Sequence, residues 1–127
     1  MIVAGLGFRR GTSAEELERV VRLALESFAV PAHRLKAIAT ESEKAADPSV
    51  PELARRLSAP IVACNLSELS GTAGQVLTSS QRVTNAKGVP SIAEAAALVA
   101  AGRNGRLLGK RIATRQATCA IAIGEGT

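Results

Sequence analysis

The chain has 127 residues, of which 46% are hydrophobic and 21% charged, and these proportions predict one globular domain over residues 1–127 rather than a disordered chain. The sequence contains two Phe and no Trp or Tyr. This composition excludes a surface of aromatic rings on which the bases of single-stranded nucleic acid could stack. The net charge is +5 with all of the excess in residues 69–127, so the charge favours an anionic partner. No basic helix or zinc-finger pattern accompanies it, so a small polycarboxylate or phosphate fits the charge as well as nucleic acid does. Because the aromatic residues are missing, we expect no nucleic-acid partner.

The amino-terminal residues predict a strand followed by a helix. The apolar run Ile2–Leu6 is typical of a buried strand that ends at a glycine turn. Two overlapping capping boxes, Thr12–Glu15 and Ser13–Glu16, mark the start of the helix. On its outer face the spacing predicts the ion pairs Glu15–Arg19 and Glu18–Arg22. Its inner face carries apolar residues at helical spacing, namely Leu17, Val20, Val21, Ala24, Leu25 and Phe28.

The middle of the chain predicts two more strands with a helix between them. Leu35–Ala39 reads as a strand that closes at Thr40, and Pro60–Cys64 reads as the next one. The residues Glu41–Pro51 are polar and include two prolines, so we expect a loop that leads into a helix near Glu52–Leu57.

The remaining residues predict a long loop, a helix and a closing strand. Leu66–Pro90 is rich in Ser, Thr and Gly, and loops of that length are usually functional or mobile. A capping box at Ser91–Glu94 opens an alanine-rich helix that stops at Gly102. One or two strands follow in Leu107–Ile123, with Ala117–Ile123 the clearer. The alternation of strands and helices predicts a three-layer-like α/β domain with a mostly parallel central sheet.

Alanine and cysteine indicate packing rather than chemistry. The 24 alanines predict a core whose layers lie close together. Cys64 and Cys119 each stand in an apolar run, so we expect buried free thiols in a reducing compartment. His33 is the single histidine, and no metal site can be built from these residues. With no signal peptide or membrane-spanning run in the sequence, we expect a cytoplasmic protein without a membrane partner.

The turn between the first strand and the first helix has the features of an anion site. Glycines let a backbone approach a ligand, and the free N–H groups of a helix amino terminus favour negative charge. Arg9 and Arg10 add guanidinium donors that match carboxylates. The alternative is a structural turn with solvated arginines. We favour anion binding, by Gly5, Gly7, Arg9, Arg10, Gly11, Thr12 and Ser13.

The same glycines raise a nucleotide-binding alternative. Their spacing, G-x-G-x-x-x-G, is one residue longer than the dinucleotide fingerprint, and Glu41 could replace its ribose-binding acid. The short chain and the double arginine argue against a dinucleotide.

Two further polar groups are candidates. The acids Glu41, Glu43 and Asp47, with Lys44 among them, are able to transfer protons but are more often solvated surface in such runs. In the long loop, Ser79, Ser80 and Arg82, together with Lys87-Gly88, could form a second anion cradle.

Five stretches carry a resemblance that covers nearly the whole chain. They are GLGFRRGTS at 5–13, Ala39-Thr40 with Lys44, GVPSIAEAAAL at 88–98, Lys110, and ATCAIA at 117–122. Together they resemble the cobalamin-biosynthesis family that comprises CobE and the C-terminal domain of CbiG, the cobalt-precorrin-5A hydrolase.

The resemblance implies a ligand and two candidate functions. The ligand is a precorrin, a tetrapyrrole edged with acetate and propionate carboxylates, and no cofactor is expected. The first function is to bind or hand on a precorrin, with other enzymes of the pathway as candidate partners. The second is to open a precorrin lactone, with Glu41 or Lys44 transferring protons. The ligand-binding residues then also include Thr40, Lys44, Ser80 and Lys87.

Two departures bear on the choice. The sequence lacks the amino-terminal region of CbiG-type proteins, so it resembles the stand-alone CobE form of the aerobic route, which puts hydrolysis in doubt. The family often has Cys where Phe8 stands and Ile-Asp where Glu41-Ser42 stand, so no reactive thiol is available at the turn.

Overall fold

The computed structural model describes residues 1–77 and 91–126, whose strands form one six-stranded sheet. The strands are β1 (Ile2–Phe8), β2 (Leu35–Glu41), β3 (Ile61–Cys64), β4 (Arg106–Leu107), β5 (Ile112–Ala113) and β6 (Ala117–Ile123). The α-helices are α1 (Ala14–Ser27), α2 (Ser42–Ala45), α3 (Ser49–Leu57), α4 (Leu66–Ser70) and α5 (Ile92–Ala101). Short 3₁₀ turns stand at Ala32–Arg34 and Ala73–Gln75.

The sheet has the order β3-β2-β1-β6-β4, and β5 also pairs with β6. β1 runs parallel to β2, and β2 runs parallel to β3. β6 is antiparallel to β1, β4 and β5, so β4 and β5 run in the same direction as β1. The predicted mostly parallel sheet flanked by helices is therefore confirmed, with β6 as the one reversed strand among those described.

Helices α1 and α3 cover one face of the sheet. Ser13 caps α1, because its hydroxyl accepts a hydrogen bond from the Glu16 N–H at 3.2 Å. The predicted Glu18–Arg22 ion pair is present at 2.8 Å, and Glu18 also pairs with Arg56 of α3 at 3.3 Å. The predicted Glu15–Arg19 pair is not formed in the described part of the chain; Arg19 instead lines a depression beside the β5–β6 connection. Both helices bury aliphatic side chains against the sheet.

Helix α5 covers the other face at unusually short range. Ala93, Ala97 and Ala101 are fully buried in a cluster made almost entirely of small side chains. A Cβ built on Gly5 would lie 2.0 Å from the Ala93 carbonyl oxygen, so only glycine permits this approach. The predicted end of β1 at the glycines was therefore wrong, because β1 continues to Phe8. Gly5 lies inside the strand, where it allows α5 to pack closely on the sheet. The predicted close packing of alanines is confirmed.

The polar stretch after β2 is more regular than predicted. Glu41 is the last residue of β2 and not part of a loop, and α2 follows it at once. Helix α3 starts at Ser49 rather than near Glu52. Proline is compatible with the first turn of a helix, where the backbone N–H groups have no partner within the helix, so Pro51 does not prevent an early start.

Both cysteines are free and buried, as predicted. Burial, with a smaller contribution from the Glu68 carboxylate, raises the pKa of the Cys64 thiol to about 11. Burial also raises the pKa of Cys119. Residues 1–77 and 91–126 contain no group of three or more His, Cys, Asp or Glu side chains able to hold a metal ion. No helix in the same residues is long and apolar enough to span a bilayer.

Candidate functional site

The carboxyl ends of β1, β2 and β3 meet at one edge of the sheet, which we call the carboxyl edge. In open α/β sheets, ligands bind outside the carboxyl ends of parallel strands where the strand order reverses. β1 occupies that position here, because β2 and β3 follow on one side of it and β6 on the other. The amino termini of α1 and α5 also lie at this edge, since Ser13 caps α1 just after β1 and Gly7 lies beside the Ala93 N–H of α5.

The turn that leaves β1 is fixed by its own hydrogen bonds. The hydroxyl of Thr12 donates to the Arg9 carbonyl at 2.6 Å, and the Thr12 N–H donates to the same oxygen at 3.1 Å. Gly11 adopts a φ of 86°, a conformation that favours glycine. The Arg9 N–H donates to the Gln116 carbonyl at 3.4 Å, which ties the turn to the start of β6. Both arginines are exposed, so the turn presents two guanidinium groups to solvent.

A third cation reaches the same turn from α2. The Lys44 ammonium donates to the Phe8 carbonyl at 2.9 Å and stands 5.4 Å from the centre of the Phe8 ring. Arg10 pairs with Glu43 of α2 at 3.6 Å, with both side chains largely exposed. An exposed pair of this kind contributes little stability, so Arg10 can exchange Glu43 for a ligand carboxylate at small cost.

Asp47 precedes α3 and binds the first residue of that helix. Its carboxylate accepts hydrogen bonds from the Ser49 N–H at 3.0 Å and the Ser49 hydroxyl at 2.8 Å. These bonds, with further contributions from the Gly11 N–H and the Lys44 charge, hold the pKa of Asp47 below its usual value of 3.8. The charged carboxylate therefore holds the start of α3 in place, and the neighbouring Gly11 N–H favours the same charged form.

We expect Asp47→Asn to lower the free energy of unfolding at neutral pH, and the loss to shrink in acid. Because the folded-state pKa is lowered, the stabilisation is fully present above about pH 4 and disappears as the pH falls through the folded value. Urea unfolding of wild type and variant between pH 7 and pH 2.5 measures the difference. A difference that is constant over this range would contradict an ionised Asp47 that stabilises the start of α3.

The structure places the predicted site residues in four different settings. Arg9, Arg10, Gly11, Ser13 and Lys44 come together at the carboxyl edge, with Thr12 buried beneath them. Two predicted ligand contacts are internal: Gly5 packs under α5, and Thr40 is 1% exposed with its hydroxyl donating to the Leu6 carbonyl at 2.9 Å. Gly7 is half-buried between Thr118 and α5. Ser80 and Lys87 lie outside the described residues.

These placements also argue against the nucleotide-binding alternative. That alternative needs Gly5 and Gly7 in a turn that cradles phosphates, whereas both are inside β1.

Sequence reasoning missed Arg115 and Gln116. They directly precede β6, and because β6 is antiparallel to β1 they lie at the carboxyl edge beside Arg9. Apolar periodicity reveals a strand but not its direction, so no sequence signal assigned them to the site. The same reversal splits the basic carboxyl-terminal half, since Arg106 pairs with Ile123 at the opposite edge. The basic residues of the carboxyl-terminal half therefore do not all lie at the carboxyl edge.

Comparison with known proteins identifies the family of this chain. The family model for the cobalamin synthesis G C-terminus matches residues 2–122. Protein CobE of Sinorhizobium sp is 31% identical over 121 residues, which cover 95% of this chain and 79% of that protein.

Two solved structures share the fold. The crystal structure of CobE, a protein from the cobalamin (vitamin B12) biosynthetic pathway, matches with a TM-score of 0.93 and 30% identity over 100% of this chain and 92% of the other. Cobalamin biosynthesis protein chiG from Agrobacterium tumefaciens str. C58 matches with a TM-score of 0.78 and 34% identity over 98% and 99%. The resemblance seen in the sequence is confirmed, and the chain belongs to the cobalamin synthesis G C-terminus family of cobalamin biosynthesis proteins.

Proposed function

We propose that this protein binds a carboxylate-rich precorrin at the carboxyl edge and holds it or hands it on within cobalamin biosynthesis. The observation that carries the proposal is the meeting of three cations from two separate segments, Arg9 and Arg10 of the turn and Lys44 of α2, around the end of β1. The amino terminus of α1 adds a positive dipole at the same place.

The chemistry of the edge suits the rim of such a ligand. Guanidinium groups bind carboxylates through two parallel hydrogen bonds, and a lysine ammonium binds them as a point charge. The edge offers no large aromatic surface besides the half-buried Phe8. In this proposal the macrocycle therefore rests on aliphatic side chains and backbone, while its acetate and propionate arms supply the specific contacts.

We expect the double variant Arg9→Ala/Arg10→Ala to bind a carboxylate corrin at least about thirtyfold more weakly, which corresponds to about 2 kcal/mol. The probe is dicyanocobyrinic acid, whose arms are free carboxylates, titrated by absorbance or calorimetry. Dicyanocobinamide, whose arms are amides, serves as the uncharged comparison. Arg34→Ala/Lys36→Ala is the matched control, because these exposed cations flank the start of β2 at the opposite edge. Equal losses in both double variants would remove the turn from the site.

Lactone opening is a second candidate function, and the carboxylate of Glu41 is the observation that favours it. Glu41 is 3% exposed at the end of β2, beside the residues that would hold the ligand. As a general base, such a group takes a proton from water while the water oxygen bonds to the acyl carbon. The ring C–O bond then breaks and receives a proton, which leaves a hydroxyl and a carboxylate and adds the mass of one water.

A single-turnover experiment separates the two functions. Protein in excess is mixed with a lactone-bearing precorrin, and the pigment is recovered by gel filtration and weighed by mass spectrometry. Co-elution of unchanged pigment supports binding and transfer. A gain of one water, abolished by Glu41→Gln while the pigment is still retained, supports the hydrolase. If the pigment is neither retained nor changed, both candidates are rejected.

A further inference from the structure

A depression of about 500 Å³ lies between α1 and the connection from β5 to β6. Helix α1 contributes Glu16, Arg19 and Leu23 to its lining, and the end of β5 with the connection contributes residues 113–116. The depression adjoins the turn after β1, because the backbone of Gln116, which lines it, accepts the hydrogen bond from Arg9. It therefore lies next to the proposed precorrin site, on the α1 face of the sheet.

In the part of the chain that the structure describes, the two arginines of the depression lack the ion pair that neutralises Arg22, another arginine of α1. Arg22, one turn from Arg19, pairs with Glu18 at 2.8 Å. Within residues 1–77 and 91–126, by contrast, neither Arg19 nor Arg115 forms an ion pair or a side-chain hydrogen bond. Glu16 is the one acidic group in the lining, so the two guanidinium groups leave a net positive charge.

We propose that this depression is a second carboxylate subsite for the ligand bound at the turn, with Arg19 and Arg115 receiving one of its carboxylate arms. The inference rests on the proposed function. Leu23 and Ala113 supply apolar surface for the methylene groups of the arm, while the two guanidinium groups bind its carboxylate. The volume lies within the range of small-molecule sites and accommodates an arm together with part of a ring.

Glu16 gives the subsite a signature that a structural role would not produce. A carboxylate arm held near Arg19 and Arg115 is repelled by Glu16, so removing that charge strengthens binding. Glu16→Gln should bind dicyanocobyrinic acid about threefold more tightly, in line with a modest interaction between partly solvated charges. Because misfolding cannot raise affinity, this variant tests the subsite even if an arginine variant proves unstable.

The experiment titrates dicyanocobyrinic acid into wild type, Arg19→Gln, Arg115→Gln, Glu16→Gln and the control Arg22→Gln. We expect each of the first two substitutions to weaken binding about three- to tenfold, with Arg22→Gln within twofold of wild type. Thermal unfolding checks that all variants fold. If the wild type binds and Arg9→Ala/Arg10→Ala does not, while the arginine and Glu16 variants in the depression match wild type, the subsite is rejected and the proposed function stands. If the wild type does not bind the probe, the proposed function fails and the subsite fails with it.

Discussion

Replacing Gly5 with Ala should lower the free energy of unfolding by about 3 kcal/mol or more, the largest effect we expect from adding one methyl group. The added Cβ would lie 2.0 Å from the Ala93 carbonyl oxygen and 2.4 Å from the Ala97 nitrogen. Both atoms belong to the backbone of α5, so no side chain can turn aside to make room. The helix must move off the sheet, and the dispersion contacts of the alanine layer are lost along with it. Urea unfolding followed by circular dichroism measures the change.

Substitutions at two other glycines distinguish the cost of lost packing space from the cost of backbone strain. Gly74 is exposed, with nothing within 4 Å of a built Cβ, so Gly74→Ala should leave stability within about 1 kcal/mol of wild type. Gly11 has equally open space but a φ of 86°, so Gly11→Ala should cost about 1–2 kcal/mol through strain alone. If Gly5→Ala cost no more than Gly11→Ala, the close approach of α5 to β1 would not be the reason for glycine at position 5.

The interface between α5 and the sheet explains the high alanine content of the chain. A helix can lie this close to a sheet only if the side chains between them are small. Ala93, Ala97 and Ala101 meet the sheet from the helix, while Ala120 and Ala122 meet the helix from β6. This arrangement also brings the amino terminus of α5 up to the end of β1, where the proposed site lies. Packing on one face of the sheet therefore helps to shape the functional edge.

The elements that the sequence predicted well are those with a local cause. Helix α1 follows from its cap at Ser13 and its apolar periodicity, and α5 ends at Gly102 as predicted. The predicted β1 is shorter than the observed strand, because the sequence alone does not distinguish a glycine in a strand from a glycine in a turn. The distinction requires knowledge of the helix that packs on the strand. The difference depends on Ala93, which is 88 residues away from Gly5 in sequence.

The residues of the candidate site also fall into those that local sequence predicts and those that depend on the pairing of distant strands. Arg9, Arg10 and Ser13 could be predicted, because the end of a strand, glycine and a helix start are adjacent in the sequence. Lys44 was found through family resemblance, and its bond to the Phe8 carbonyl requires the parallel pairing of β1 and β2. Arg115 was missed because its position depends on the reversed direction of β6.

Replacing Glu94 with Ala should lower the free energy of unfolding by about 3 kcal/mol, because it removes a buried acceptor shared by two separate segments. Glu94 is fully buried in the first turn of α5. One carboxylate oxygen accepts a hydrogen bond from the Leu77 N–H at 2.8 Å, and the other accepts one from the Arg111 N–H at 2.9 Å. The Ser91–Glu94 pattern predicted a local cap, and the Ser91 hydroxyl does accept from the Glu94 N–H at 3.4 Å, but the carboxylate has this further, long-range role.

Two companion variants test whether that role accounts for the loss. Glu94→Gln keeps one acceptor oxygen, so it should recover part of the stability and cost about 1–2 kcal/mol. Glu15→Ala removes an exposed glutamate from the first turn of α1, where only the helix dipole is affected, and should cost at most about 1 kcal/mol. Urea unfolding ranks the three variants. If Glu94→Ala cost no more than Glu15→Ala, the carboxylate of Glu94 would not hold α5 to the segments that contain Leu77 and Arg111. If Gln matched Ala at position 94, loss of the negative charge rather than of the individual acceptors would determine the effect.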